Sequence, residues 1–239
     1  MAIWWKSALP VNSPLQAEAL LFDLDGTLVD SAPDLCGAMN HVLQQRGVPL
    51  LALPQVRHLV GDGARTLLAR GFWGEEAQAP VDDPGFEEAV ALFMAYYRQH
   101  LTDNTQPYPG VLAMLHHFQR QGMPMAVVTN KPEAMAHSML QQLELSPFFS
   151  HLLGGDTLPQ RKPAPEPLLY PLAHWQIAPQ RAVMVGDSLT DLLAARAAGC
   201  PMVWMTHGYS RGISPASVHP DRILDHCDQL PACIVFSAS

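Results

Sequence analysis

The sequence contains no window approaching the roughly 18 consecutive apolar residues that a membrane-spanning helix needs, so a soluble chain is expected. Basic residues are scarce. Against 22 Asp and Glu stand 14 Lys and Arg, a formal charge of −8, with no cluster of the kind that neutralises a nucleic-acid backbone. Nucleic acid and anionic membranes are therefore poor candidates as partners, and an anionic substrate gains no long-range steering; a few local donors and a cation must hold it. Cysteine is sparse too. Cys36, Cys200, Cys227 and Cys233 include no C-x-x-C pair, so neither a disulfide framework nor a zinc site has a local signature, and reduced thiols in the cytoplasm are the expectation. The opening Met1-Ala2-Ile3-Trp4-Trp5-Lys6 lacks a basic start followed by a long apolar run. This argues against a secretory signal and reads as a flexible lead-in. No repeat or low-complexity tract occurs.

What is present is alternation. Apolar runs bounded by turn residues recur at 19–22, 125–128, 182–185 and 202–205, separated by helical patterns. This order predicts an α/β fold, a parallel sheet with helices on its faces. Between residues 31 and 106 the pattern changes. Leu35, Met39, Val42 and Leu43 repeat at helical spacing, as do Phe86, Val90, Phe93, Tyr97 and Leu101. A helical stretch of this length far exceeds a crossover of about a dozen residues. The expected organisation is a core of residues 1–30 and 107–239 with a helical insert, 31–106, restarting at Pro107-Tyr108-Pro109-Gly110.

Carboxylates gather where the strands end. The first run closes in Asp23-Leu24-Asp25-Gly26-Thr27, two acids two residues apart; in isolation this is equally a solvated Asp-Gly turn. The run at 182–185 closes in Gly186-Asp187-Ser188-Leu189-Thr190-Asp191, again at the end of a buried strand where open α/β sheets bind ligands. Asp191 fits either a metal shell or first-turn helix stabilisation. At an effective dielectric near 20, unit charges about 4 Å apart repel by roughly 4 kcal/mol. Asp23, Asp187 and a phosphate dianion therefore share a pocket only around a divalent cation. Hard oxygen donors favour Mg2+, and no His or Cys pair has zinc spacing; His116 and His117 lie in a helical pattern and need no metal. Thr129 and Asn130 follow the second run with a hydroxyl, an amide and backbone N–H groups suited to phosphate oxygens. Lys162 stands in a proline-stiffened loop that limits the entropy lost on fixing a long cation. A turn and a solvated lysine are the plain alternatives for these two segments.

Taken in order, Asp23 to Thr27, Thr129-Asn130, Lys162-Pro163 and Gly186 to Asp191 resemble the haloacid dehalogenase superfamily over about residues 19–207. That resemblance implies a Rossmann-like core with a helical cap. Segments such as Asp30 to Leu35, Val60 to Ala64, Tyr108 to Val111 and Val128 to Pro132 are similar to bacterial phosphoglycolate phosphatases. The resemblance implies Asp23 as nucleophile, Asp25 as general acid and base, Asp23, Asp25 and Asp187 around Mg2+, and Thr129, Asn130 and Lys162 on the phosphoryl group. In the loop from Gly61, Arg65 either pairs with a substrate carboxylate or stands as an exposed helix residue. The implied substrate is a small phosphorylated metabolite, 2-phosphoglycolate first. A sugar-acid phosphate or a mutase resembling β-phosphoglucomutase is the alternative, and the enzyme is expected as a monomer or homodimer. The wording departs from these relatives at Asp62, a position often Asn or His, and in His207 to Gly212, which follows their glycine-tyrosine pattern only in part.

Overall fold

The computed structural model describes residues 13–237; the lead-in with its tryptophan pair lies outside them. In chain order, β1 (Leu15–Ala17), β2 (Ala19–Phe22) and β3 (Val29–Asp30) precede α1 (Ala32–Gln45), α2 (Leu53–Leu59), α3 (Ala64–Trp73) and α4 (Pro84–Gln99). After β4 (Gln106–Pro107) come α5 (Val111–Arg120), β5 (Met125–Val128), α6 (Glu133–Gln142), β6 (His151–Leu153), α7 (Glu166–Trp175), β7 (Ala182–Gly186), α8 (Leu189–Ala198) and β8 (Met202–Met205). The chain closes through α9 (Pro215–Val218), β9 (Arg222–Leu224), α10 (Leu230–Cys233) and β10 (Ile234–Phe236).

Six strands form one parallel sheet in the order β6-β5-β2-β7-β8-β9. Its central strands are buried on both faces, which explains their uninterrupted apolar runs. Leu20, Phe22, Val127, Val183 and Val185 enter one core, while Ala19, Leu21, Ala126, Val128, Ala182 and Met184 enter the other, on the side of α7 and α8. The strands β6 and β9 escaped the sequence reading because they are short edges carrying polar or exposed side chains, His151 and Arg222 among them. Strand order reverses around β2, so the carboxyl ends of β5, β2 and β7 open on a shared crevice.

Helices α1 to α4 hold no strand between them. The stripe of Leu35, Met39 and Val42 on α1 packs in one core with Phe86, Ala89, Phe93 and Tyr97 of α4. Asp83 caps α4 by accepting from the Phe86 N–H at 2.9 Å, with Pro84 at the first turn. The chain leaves and returns to the sheet side by side, since β3 and β4 pair antiparallel, Val29 opposite Pro107 and Asp30 opposite Gln106. Buried Asp34 fastens the return. Its carboxylate accepts from the backbone N–H of Asn104 and of Thr105, from Asn104 Nδ2 and from Thr105 Oγ1, at 2.7 to 3.1 Å. The tail beyond Asp221 packs on the molecule: Cys227, Leu230 and Ile234 are buried, and β10 pairs parallel with β1. No helix among the described residues is long and apolar enough to cross a membrane.

Candidate active site

The loops after β2, β5 and β7 bring five of the expected residues to the crevice. Carboxylate oxygens of Asp23, Asp187 and Asp191 lie within 4.8 Å of one another. Buried Lys162 reaches in from the loop before α7, its Nζ 2.9 Å from Asp23 and 2.6 Å from Asp191. One ammonium among three carboxylates leaves two negative charges uncompensated when all are ionised. Burial, and after it the field of the neighbouring acids Asp191 and Asp25, raises the Asp23 carboxyl to about 7 although Lys162 pulls it down. Burial and the charges of Asp191 and Asp23 push Asp187 well above the ordinary range. Burial alone would lower Lys162, but Asp191 and Asp23 hold it above its usual value.

The backbone is shaped around Asp187. Its Oδ1 accepts from Thr27 Oγ1 at 2.6 Å, and its Oδ2 from the Tyr209 N–H at 2.6 Å. A side chain at Gly26, where φ is +89°, would place Cβ 2.3 Å from Asp187 Oδ2. The glycine after the acid pair is therefore demanded by both conformation and proximity. Asp191 is largely committed: one oxygen meets Lys162, and the other accepts from Ser188 Oγ and the N–H groups of Ser188 and Asp187. Asp191 stabilises the first turn of α8, one of the two alternatives the sequence offers, and also lies in the acidic cluster.

Asp25 lines the same crevice. Its carboxylate turns to Ser31 and Lys131 and is not part of the three-acid cluster. Lys131 donates to Asp25 Oδ1 at 2.9 Å and Oδ2 at 3.2 Å, and to the Tyr97 hydroxyl of α4 at 2.6 Å. Burial opposes the charge on Lys131, yet Asp25 and Tyr97 raise it above the ordinary lysine value. Sequence reasoning gave Lys131 no role, because a lysine three residues past a strand carries no signal that it is buried. Thr129 Oγ1 accepts from the Lys131 N–H at 3.2 Å, and Asn130 Nδ2 donates to the Lys162 carbonyl at 3.0 Å. The Asn130 amide thus holds the loop that carries the lysine.

Asp23, Asp25, Thr129, Asn130 and Lys131 form the polar wall of a cavity of about 50 Å³, opposite Leu35, Val60, Ala64, Leu67 and Met94. Arg65 is not in that wall. Its guanidinium faces outward, pairing with both Glu87 oxygens at 2.6 and 2.7 Å and lying over Phe86. Arg65 begins α3 on the side turned toward α4, and only Gly61, Gly63 and Ala64 of its loop face the crevice. The two departures from the relatives' wording meet each other. Asp62 pairs with Arg70 at 2.6 Å, with Arg211 at 2.9 Å, and accepts from Thr190 Oγ1 at 3.0 Å.

A doubly wound sheet with acids and a lysine converging at its carboxyl edge defines an α/β enzyme working on an anionic group. Comparison places it in a family: the model described as haloacid dehalogenase-like hydrolase matches residues 20–205, and the chain belongs to that family. A phosphoglycolate phosphatase of Pseudomonas putida is 43% identical over 216 residues, 90% of this chain and 79% of the relative. A phosphoglycolate phosphatase of Nitrosococcus oceani is 37% identical over 210 residues, 88% of this chain and 93% of the relative. Among solved structures, one described as a predicted phosphoglycolate phosphatase from Haemophilus somnus superposes with a TM-score of 0.84 at 35% identity, over 90% of this chain and 97% of that one.

Proposed function

We propose that the chain is a magnesium-dependent phosphoric monoester hydrolase that converts 2-phosphoglycolate to glycolate and phosphate through an aspartyl-phosphate on Asp23. The observation that carries this reading is the convergence of Asp23, Asp187 and Asp191 on Lys162 at the sheet's carboxyl edge. The residues fit a divalent cation: the donors are all hard oxygens, and two acids are held above their ordinary range by burial and then by the charges of their acidic neighbours. Asp23 and Asp187 would hold Mg2+, which when bound neutralises phosphoryl charge and keeps the acids ionised. Asp25 is kept as the third proposed ligand, its carboxylate meeting Ser31 and Lys131.

In the forward step an Asp23 oxygen forms the bond to phosphorus as the bond to the ester oxygen breaks, and Asp25 supplies the proton that makes the leaving group an alcohol. Asp25, now a carboxylate, takes a proton from water as that water's oxygen attacks phosphorus, releasing phosphate and restoring Asp23. The Lys162 ammonium and the Thr129 hydroxyl stabilise phosphoryl oxygens, and Asn130 fixes the Lys162 loop. Residues 31–106 act as a cap over a core of 1–30 and 107–239, excluding bulk water from the acyl phosphate. The test is phosphate release from 2-phosphoglycolate, N-acetylmuramate 6-phosphate, β-glucose 1-phosphate and p-nitrophenyl phosphate. The reading expects the first to dominate with Mg2+ and to fail in EDTA and in Asp23→Asn; turnover indifferent to EDTA contradicts it.

A further inference from the structure

We propose that the Lys131 ammonium binds the carboxylate of the leaving group and so selects acid phosphates over neutral ones, an inference that rests on the reading above. Four observations carry it. Among the described residues lining the cavity, Lys131 is the only cation. The lining also holds Leu35, Val60, Leu67 and Met94; Arg161 lies beside Gly63 and Lys162 is bonded to Asp23 and Asp191, so within the lining Lys131 is the counter-charge for a second anionic group, whose unpaired burial is prohibitive. Arg65, the cation that sequence reasoning offers for this task, is spent on Glu87.

The fourth observation is position. Lys131 Nζ lies 2.9 Å from the Asp25 oxygen, and the ester oxygen must come within about 3 Å of the same carboxylate to receive its proton. In 2-phosphoglycolate the carbon bearing that oxygen also bears the carboxylate, which therefore falls beside the ammonium. Of the ammonium's three contacts, that to Asp25 Oδ2 is the longest at 3.2 Å, and it is the one a substrate oxygen replaces. The Tyr97 hydroxyl, from α4, holds the ammonium from the other side at 2.6 Å. An acidic substrate is thereby clasped between the sheet's loops and the inserted helices, which a neutral phosphomonoester is not.

The experiment compares kcat/KM for 2-phosphoglycolate and for ethyl phosphate, which has the same skeleton without the carboxylate, in the wild type, Lys131→Met and Lys131→Arg, all checked by circular dichroism. Losing one partner of a desolvated charge pair predicts that Lys131→Met falls about 100-fold further on 2-phosphoglycolate than on ethyl phosphate, whose turnover drops only by what Asp25 loses with its ion-pair partner. Lys131→Arg retains the acid preference. Equal losses on both substrates, with the wild type still preferring the acid, overturn the inference: Lys131 then acts only through Asp25, and the substrate reading stands. A wild type that hydrolyses ethyl phosphate as well as 2-phosphoglycolate removes the substrate reading and this inference together. Should Lys131→Met not fold, Lys131→Gln takes its place: equal losses on both substrates in folded Lys131→Gln serve as the same refutation, and a selective loss on 2-phosphoglycolate supports the assignment.

Discussion

The chemistry of single residues here is set by crowding. Asp23 and Asp187 ionise reluctantly because each is buried beside other acids, while the Lys162 ammonium pairs with Asp23 and Asp191. A carboxyl raised from an ordinary value near 3.8 to about 7 means that, without metal, the folded state binds protons that the unfolded state has released. Stability therefore falls as pH rises through that window. Urea or thermal melts in EDTA should show lower stability at pH 8 than at pH 5.5, and saturating Mg2+ should reverse most of the difference. A flat profile in EDTA would remove the crowding argument. Residue identity also explains what the sequence showed and hid: Asp23, Asp187 and Lys162 follow strand ends or stiff loops and were legible, whereas the turn of Asp25 away from the cluster depends on Lys131 and Ser31, whose burial no local pattern announces.

Among the elements, the buried strands were readable because both faces are apolar and their runs are continuous, while β6 and β9 mix polar edge residues and were not. The inserted helices were readable from the stripes on α1 and α4. What no pattern disclosed is how the two crossings are fastened: Asp34 looks like an ordinary first-turn acid, yet it collects donors from residues some 70 positions away in sequence. Removing its carboxylate leaves the buried N–H and hydroxyl of Thr105 unpaired, which costs about 3 kcal/mol, or roughly 6–12 °C in melting temperature for a chain of this size. Differential scanning calorimetry of Asp34→Ala checks this, and Asp34→Asn, which keeps one acceptor, should lose less.

Across the whole molecule, the loop between α2 and α3 is tied to the sheet's carboxyl edge by Asp62, which meets Arg211 and Thr190. Charge and geometry make this pair a fastening between the inserted helices and the loops that hold Asp187. In Arg211→Ala the account expects KM for 2-phosphoglycolate to rise about fivefold with kcat nearly kept, Asp62→Ala to lose at least as much because it also drops Arg70 and Thr190, and the double variant to be no worse than Asp62→Ala. Additive losses would mean that the two side chains act separately. The central claim concerns Asp23, and mass spectrometry of enzyme acid-quenched during turnover with Mg2+ and 2-phosphoglycolate tests it most directly. The account predicts one phosphoryl group on the peptide containing Asp23, absent in Asp23→Asn; a phosphoryl group on another residue, or full turnover by Asp23→Asn, would contradict it.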